Sequence, residues 1–390
     1  MRLHLLAALA LLLASPAAAQ VEVTPLAAPD YFSLGSRDTG LPADIWRGSS
    51  GQTATALIPA IGTRPLTPAA GDLAWRLMAV ATVGPEGAGR DPDVAGARIQ
   101  ALLALGRPRE AWAAAERAGN LPTHPALAQA VAETALIIGD DDRACRIAEA
   151  LSVGRGEIYW LRLRAYCEAR AGEGVLAQLT LTLASEKQRD PVVSRLIGAV
   201  IAGAGDPGAA SLRSGLEYAL SRRLALDIPA AKGASPAVAA MIAGAAPPVA
   251  PPGTGLAERF ARNEGRAAEF DALLRQTQAA DARARPRHEA AVLVAIALGA
   301  TPTADQRAVI ATFTAPSGVA TSGRLAALDL AADAGLKGET ALLALVIVGE
   351  AGGKPRPADY ARIVSALRRA GLTDVAVAFA GEAFAALQVE

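Results

Sequence analysis

The stretch Ala101-Leu102-Leu103-Ala104-Leu105-Gly106-Arg107-Pro108-Arg109-Glu110-Ala111 decides the fold. Ile99, Leu102, Leu103 and Leu105 recur at the spacing of one helix face. Gly106 closes that helix, because glycine enters the left-handed region without a Cβ clash. Pro108 opens the next helix, and Ala111 is small enough to let the two approach closely. The unit is an antiparallel helical hairpin, whose apolar face stays bare until a neighbouring hairpin covers it.

The pattern recurs along the chain. Gly106, Gly139, Gly172 and Gly205 stand 33 residues apart, and an alanine follows each by five, at Ala111, Ala144, Ala177 and Ala210. Val131, Leu136, Ile137 and Ile138 form the apolar run before Gly139, and Asp140-Asp141-Asp142-Arg143 makes the polar turn after it. The third and fourth units are weaker, and Gly203 just before Gly205 suggests a frayed helix end. A second series, Gly299, Gly335 and Gly371, is spaced by 36, with apolar helical runs over 325–332, 340–348, 360–367 and 375–387. Composition points the same way. The 390 residues are 52% hydrophobic and only 4% aromatic, which favours close-packed Ala/Leu helices over sheets.

The chain resembles the tetratricopeptide-repeat family, whose unit is about 34 residues, over roughly 93–240 and more weakly over 290–390. Residues 101–111 are the best match, and 136–144 the next; alanine fills most of the family's aromatic positions. The fold implied is all-α, an α-solenoid of stacked antiparallel hairpins curved into a superhelix. Such an array has a concave groove lined by the first helix of each unit. Carried over position by position, the resemblance puts Tyr159, Arg162, Tyr166 and Arg170 of the third unit in that groove. Arg195 joins from the next unit, and Gln129 and Glu133 from the previous one. Tyrosine and arginine combine contact area with directional hydrogen bonds, as binding anchors do. In the competing reading Trp160, Leu163 and Cys167 are core and the tyrosines only cover the hairpin.

The first nineteen residues read as an export signal, with Arg2 and His4 ahead of an apolar run over 5–14 and Ala17-Ala18-Ala19 as the cleavage site. That run is too short to span a bilayer. The expected location is the periplasm or the medium, with no membrane span after cleavage. The expected organisation is an irregular N-terminal cap over 20–92, a hairpin array over 93–240, a Pro/Gly-rich linker over 241–256 and a second array over 257–390. The cap carries helix candidates at 53–58 and 72–82, with Trp46 and Trp75 as its anchors. Four prolines between 247 and 252 rule helix out of the linker.

In an exported protein, the two cysteines Cys145 and Cys167 are a disulfide candidate. The repeat register supports the pairing by placing them on adjacent helices of neighbouring hairpins; two separate buried thiols are the alternative. Basic and acidic residues balance at 38 each, which argues against a nucleic-acid partner. Asp140-Asp141-Asp142 lacks the turn glycine and closing glutamate of a calcium loop and reads as helix capping. Gly349-Glu350-Ala351-Gly352-Gly353-Lys354-Pro355 has the wrong spacing for a phosphate loop, and proline stands where a magnesium-binding hydroxyl belongs. His124 and His288 are too far apart to join the cysteines on zinc. No catalytic residue, metal or cofactor is therefore nominated. The expected function is an exported, non-catalytic scaffold or adaptor that holds a peptide segment or an envelope protein in the groove. The alternatives are a cell-wall-acting hydrolase with an unrecognised carboxylate site and a purely structural spacer.

Overall fold

The structure is a computed structural model that describes residues 30–203, 206–244, 255–262 and 266–389. The segment read as an export signal, Gly205 and most of the proline-rich stretch lie outside the described residues. The described chain is all-α. After a 3-10 turn at Tyr31–Ser33 come α1 (Gly51–Leu57) and α2 (Pro68–Ala79). Then follow α3 (Pro92–Ala104), α4 (Pro108–Ala115), α5 (Pro125–Ile138), α6 (Asp141–Ala150), α7 (Ile158–Arg170), α8 (Gly174–Lys187), α9 (Pro191–Ala202), α10 (Gly215–Arg223) and α11 (Pro236–Ala243). The remaining helices are α12 (Leu256–Ala261), α13 (Arg266–Ala279), α14 (Arg285–Ala297), α15 (Ala304–Ile310), α16 (Ser322–Asp333), α17 (Lys337–Glu350), α18 (Pro357–Arg369) and α19 (Thr373–Leu387). No β-strand forms among the described residues, only two isolated bridges, Ser36 with Val80 and Ser50 with Glu86.

The glycine series does what its spacing implied. Gly106, Gly139, Gly172, Gly299, Gly335 and Gly371 all sit at positive φ. At each, the amide of the following residue donates back to a carbonyl five residues before it. These bonds run from Arg107 to Leu102, Asp140 to Ala135, Glu173 to Glu168, Ala300 to Ala295, Leu336 to Ala331 and Leu372 to Leu367, all at 2.8–3.1 Å. One local device, the left-handed glycine cap, therefore ends six helices, and at all of them but Gly299 the next helix packs back on the one before. Ala111, Ala144 and Ala177, five residues after the first three glycines, have no exposed surface. The helices pack at those positions at the separation only a methyl group permits.

The fourth unit departs from the register. Gly203, not Gly205, caps α9 in the left-handed region, and Ala210 lies in irregular chain, partly exposed. In the first array α3 and α4 pack on α5, α6 on α7, and α7 and α8 on α9, so neighbouring hairpins lie side by side. After α9 the chain turns back instead of adding a hairpin: α10 packs on α5 and α9, and α11 on α3, α4 and α5. In the second half the order in space is not the order in sequence. α14 packs on α18 and α19, and α16 packs on α17 and α18, so the C-terminal hairpin is laid between its predecessors.

The N-terminal segment, expected as a cap on the first array, touches both halves. α2 packs on α3 and also on α17 and α19. Lys337 Nζ meets both Asp44 oxygens at 2.8 and 3.0 Å, and the Ser50 amide donates to Glu339 at 2.5 Å. Trp46 is fully buried and sits on the first turn of α17, where any Cβ on Gly338 would collide with its ring. Trp75 is partly buried beneath the Arg107 guanidinium, 4.4 Å from its ring centre. Arg98 of α3 reaches into this segment and is itself 1% exposed. Among the described residues no helix is long and apolar enough to cross a membrane.

Candidate functional site

The first helices of the first array converge on one cleft of about 480 Å³. Gln100 and Leu103 come from α3, Gln129, Ala130 and Glu133 from α5, and Ile158, Tyr159 and Arg162 from α7; Val193 belongs to α9, preceded by Asp190. The far wall is the chain's own returning segment: Arg213, Ser214, Leu216 and Glu217, at the start of α10. The helix spacing explains the convergence. Gln129 and Glu133 are one turn apart on α5, as are Ile158 and Arg162 on α7, so each helix offers one polar edge to the same space.

Glu133 organises the inner end. Its Oε2 accepts from the Tyr159 hydroxyl at 3.2 Å, and its Oε1 accepts from the Gly215 amide at the first turn of α10. Burial raises the Glu133 carboxyl above the ordinary glutamate range, while the Gly215 amide and the Tyr159 hydroxyl oppose that rise. Burial, and then the adjacent Glu133 carboxylate, hold the Tyr159 phenol well above its usual value. A side chain at position 215 would meet the Glu133 backbone oxygen and Ile137, which is why glycine stands there.

The outer end is a charged lattice. Arg213 grips Glu217 through Nε at 2.9 Å and Nη2 at 2.6 Å, and reaches Asp190 at 3.1 Å. Arg162 Nη1 lies 3.7 Å from the same Asp190, and its Nη2 donates to the Gln188 carbonyl at 3.2 Å. Asp190 also caps α9 by accepting from the Val192 and Val193 amides at 3.1 and 3.2 Å. Its partial burial would lift its pKa, but the Val193 amide and the Arg213 guanidinium outweigh that and hold it below the ordinary aspartate value. The Glu217 carboxylate stabilises the Arg213 cation further. Gln129, half-buried between these two ends, has no side-chain hydrogen bond among the described residues, so its amide is available to a ligand.

Of the seven residues singled out in the sequence, four meet here: Gln129, Glu133, Tyr159 and Arg162. The other three serve elsewhere. Tyr166 is fully buried and donates to Asp141 at 2.7 Å, in a knot completed by Arg222 of α10, which reaches Asp141 at 2.9 Å. Arg170 pairs with Asp142. Arg195 donates to the Ala209 carbonyl at 2.8 Å and so ties down the loop before α10. Sequence reasoning missed Asp190, Arg213 and Glu217. Asp190-Pro191 is a plain helix start, and Ser214 with Glu217 three positions on carries the spacing of a capping box. Both signals were legible, but they describe helix ends, and nothing local says that those ends meet in the groove.

Cys145 on α6 and Cys167 on α7 form a disulfide, with Cα atoms 5.6 Å apart. It links two neighbouring hairpins and lies against a second cleft of about 670 Å³, where Arg155, Arg164, Arg170 and Arg223 alternate with Glu149, Glu168 and Glu173. Comparison with family models, with curated proteins and with solved structures returns no match.

Proposed function

We propose that this chain is an exported, non-catalytic scaffold that holds a peptide segment of another envelope protein in the groove of a tetratricopeptide-like hairpin array. The observation that carries the reading is the convergence on one cleft of polar side chains from α3, α5 and α7 and from Asp190 at the start of α9, with the unpaired Gln129 amide at its centre. The half-buried Gln129 amide, the exposed Gln100 amide and the tyrosine–carboxyl pair suit the alternating donors and acceptors of a peptide backbone. The paired charges of Arg162, Asp190, Arg213 and Glu217 suit a rim that sets orientation. Glu133 and Asp190 are already occupied by amides, a hydroxyl or guanidinium groups, an arrangement that positions rather than reacts.

The test is crosslinking in the producing cell with a photoreactive residue at position 100, on the exposed edge of the same cleft, followed by identification of the captured protein. Gln129→Ala with Arg162→Ala should lower capture at least tenfold with helicity unchanged, the loss of about 1.4 kcal/mol or more of binding free energy. Capture that ignores both substitutions refutes the groove. Release of fragments from purified cell wall would instead favour the hydrolase reading.

A further inference from the structure

The Cys145–Cys167 bond is not sealed in the core. Both cysteines are only partly buried, and both line the cleft of about 670 Å³, together with the exposed side chains of Glu149, Arg155, Glu173 and Arg223. A small solute that enters this cleft meets the bond without any helix having to move. The bond crosses the joint between the α5–α6 hairpin and the α7–α8 hairpin. Three polar contacts cross the same joint: Tyr166 to Asp141 at 2.7 Å, Tyr159 to Glu133 at 3.2 Å, and Arg170 to Asp142.

The two sulfurs have different surroundings. On α6, Asp141 and Asp142 stand one turn before Cys145, and Glu149 one turn after it. On α7, Arg164 stands one turn before Cys167 and Arg170 one turn after it, with Glu168 as the neighbouring carboxylate. Arg170 and Asp142 are paired with each other, and Asp141 with Arg222, so the difference rests on Glu149 and Arg164. Glu149 has no ion pair among the described residues, and it opposes a thiolate at Cys145. The Arg164 Nη2 donates to the Arg155 carbonyl at 3.1 Å, but its Nε has no hydrogen-bond partner and is free to stabilise a thiolate at Cys167. The C-terminal dipole of α7 works against that thiolate with only about half a charge. The more stable thiolate leaves faster, so Cys167 is the leaving sulfur and Cys145 the one attacked.

We propose that Cys145–Cys167 is a thiol-exchange site, at which a low-molecular-weight thiol opens the covalent clasp between the two hairpins while the chain stays folded. The thiolate of the small molecule attacks Cys145 Sγ. The bond between the two cysteine sulfurs breaks, and its electron pair leaves on Cys167 beside Arg164. Cys145 is then joined to the small molecule in a mixed disulfide. A second thiolate attacks the small-molecule sulfur of that mixed disulfide, and the small disulfide departs. The two protons given up by the attacking thiols return to Cys145 and Cys167. Two small thiols are thus oxidised to one disulfide, and the protein disulfide is reduced to two thiols. The polar contacts across the joint hold the two cysteines near each other, so a small disulfide reverses the sequence. Glu133 stands on one hairpin and Tyr159 on the other, so the clasp also sets how firmly the inner end of the groove is held.

The test uses the full chain without denaturant and 2-mercaptoethanol as the probe, a neutral thiol. Reduction is followed by acid quenching, alkylation of free thiols and mass spectrometry. The rate should be first order in thiol and unchanged by urea below the unfolding transition, because attack needs no opening of the chain. A rate that climbs with urea in step with the unfolding equilibrium overturns the proposal, since the bond is then reached only through the unfolded chain. Peptide mapping at partial conversion should find the mercaptoethanol adduct on Cys145; an adduct chiefly on Cys167 refutes the assigned direction. Arg164→Gln should slow the first step about threefold, and Arg164→Lys should restore it, with circular dichroism confirming that both are folded. Equal rates for Arg164→Gln and wild type deny Arg164 its role. In the reduced chain, hydrogen exchange should quicken in α6 and α7 and stay unchanged in α18 and α19. Identical protection in the two redox states contradicts a clasp.

Discussion

Replacing Arg98 by methionine should loosen the N-terminal segment more than any other single polar substitution in the described chain. The guanidinium is enclosed, and four of its five N–H groups donate to backbone carbonyls. Nε donates to the Met78 carbonyl at 2.5 Å, Nη1 to Tyr31 and Leu34 at 2.9 Å each, and Nη2 to Val80 at 2.9 Å. The Phe32 ring lies 4.8 Å from the guanidinium carbon. Met78 stands in the last turn of α2, where carbonyls have no partner within the helix, so Arg98 caps that helix from a neighbouring one. Gly35 is part of the same arrangement, because a Cβ there would strike the Ala79 carbonyl and Arg98 itself. Burial depresses the Arg98 pKa to about 10, so the cation is held at an energetic cost that these carbonyls must offset. Each carbonyl left without a donor costs about 1–3 kcal/mol, and removing the buried cation returns part of the sum. The net expected loss is about 3–5 kcal/mol, as for breaking a buried charged network. Arg98→Lys should lose roughly 2 kcal/mol less, because a lysine keeps the charge and reaches some but not all of the carbonyls. Native-state hydrogen exchange gives the direct readout. The amides of Ser36, Ala81 and Thr82, which donate to Ala79, Ser36 and Phe32, report the opening of this segment alone. Arg98→Met with protection at those three amides within about 0.5 kcal/mol of wild type would refute the reasoning.

Two further outcomes are expected. Reduction of the Cys145–Cys167 bond, or the double change to serine, opens a loop of 22 residues and should lower stability by about 3 kcal/mol; a thiol titration of the unreduced, denatured chain that finds two free thiols contradicts the bond. Burial raises the carboxyl pKa values of Glu133 and Glu382, so the folded chain binds more protons than the unfolded one as pH falls from neutral toward the glutamate range. The stability each contributes is present below the unfolded glutamate value and is lost as pH rises through the folded one. Denaturant midpoints should therefore fall between mildly acidic and neutral pH, and Glu133→Gln should flatten that slope; an unchanged slope denies that Glu133 is buried as described.

The hairpins were legible because each depends on a few adjacent residues. A left-handed glycine followed by a residue that starts the next helix, Pro108 after Gly106, Asp140 after Gly139 and Glu173 after Gly172, reverses the chain locally, so these turns could be read without knowing what lies beyond them. The disulfide was legible for the same reason, since the register fixed which helices carry Cys145 and Cys167. The path after α9 was not. Gly205 kept the spacing of the series, but Gly203 came two residues sooner and ended the helix, so the register was lost there. Whether the next helix then stacks or turns back depends on contacts between distant segments: Gly215 under Glu133, Arg222 on Asp141, Arg213 on Asp190. None of these pairs leaves a periodic trace. Arg98 was invisible too, since a single arginine within an apolar helix reads as a solvated side chain until the carbonyls that receive it are in place.

The break after α9 accounts for both surfaces of the first array. In a stack of hairpins each unit covers the flank of the one before; here α3 and α4 pack on α5, α6 packs on α7, and α7 and α8 pack on α9. A fourth unit would have set its second helix beside α8. Instead the residues that could have formed it turn inward, and their apolar side, Leu216, Ala219 and Leu220, is buried against the groove. The same event therefore narrows the groove to the cleft around Gln129 and leaves the outer face of α8 bare. Its outward positions mix Gln178, Thr182, Glu186 and Lys187 with Val175, Leu176, Leu179 and Leu183, so the face left bare is only partly converted to the polar surface that the exposed end of a repeat array carries.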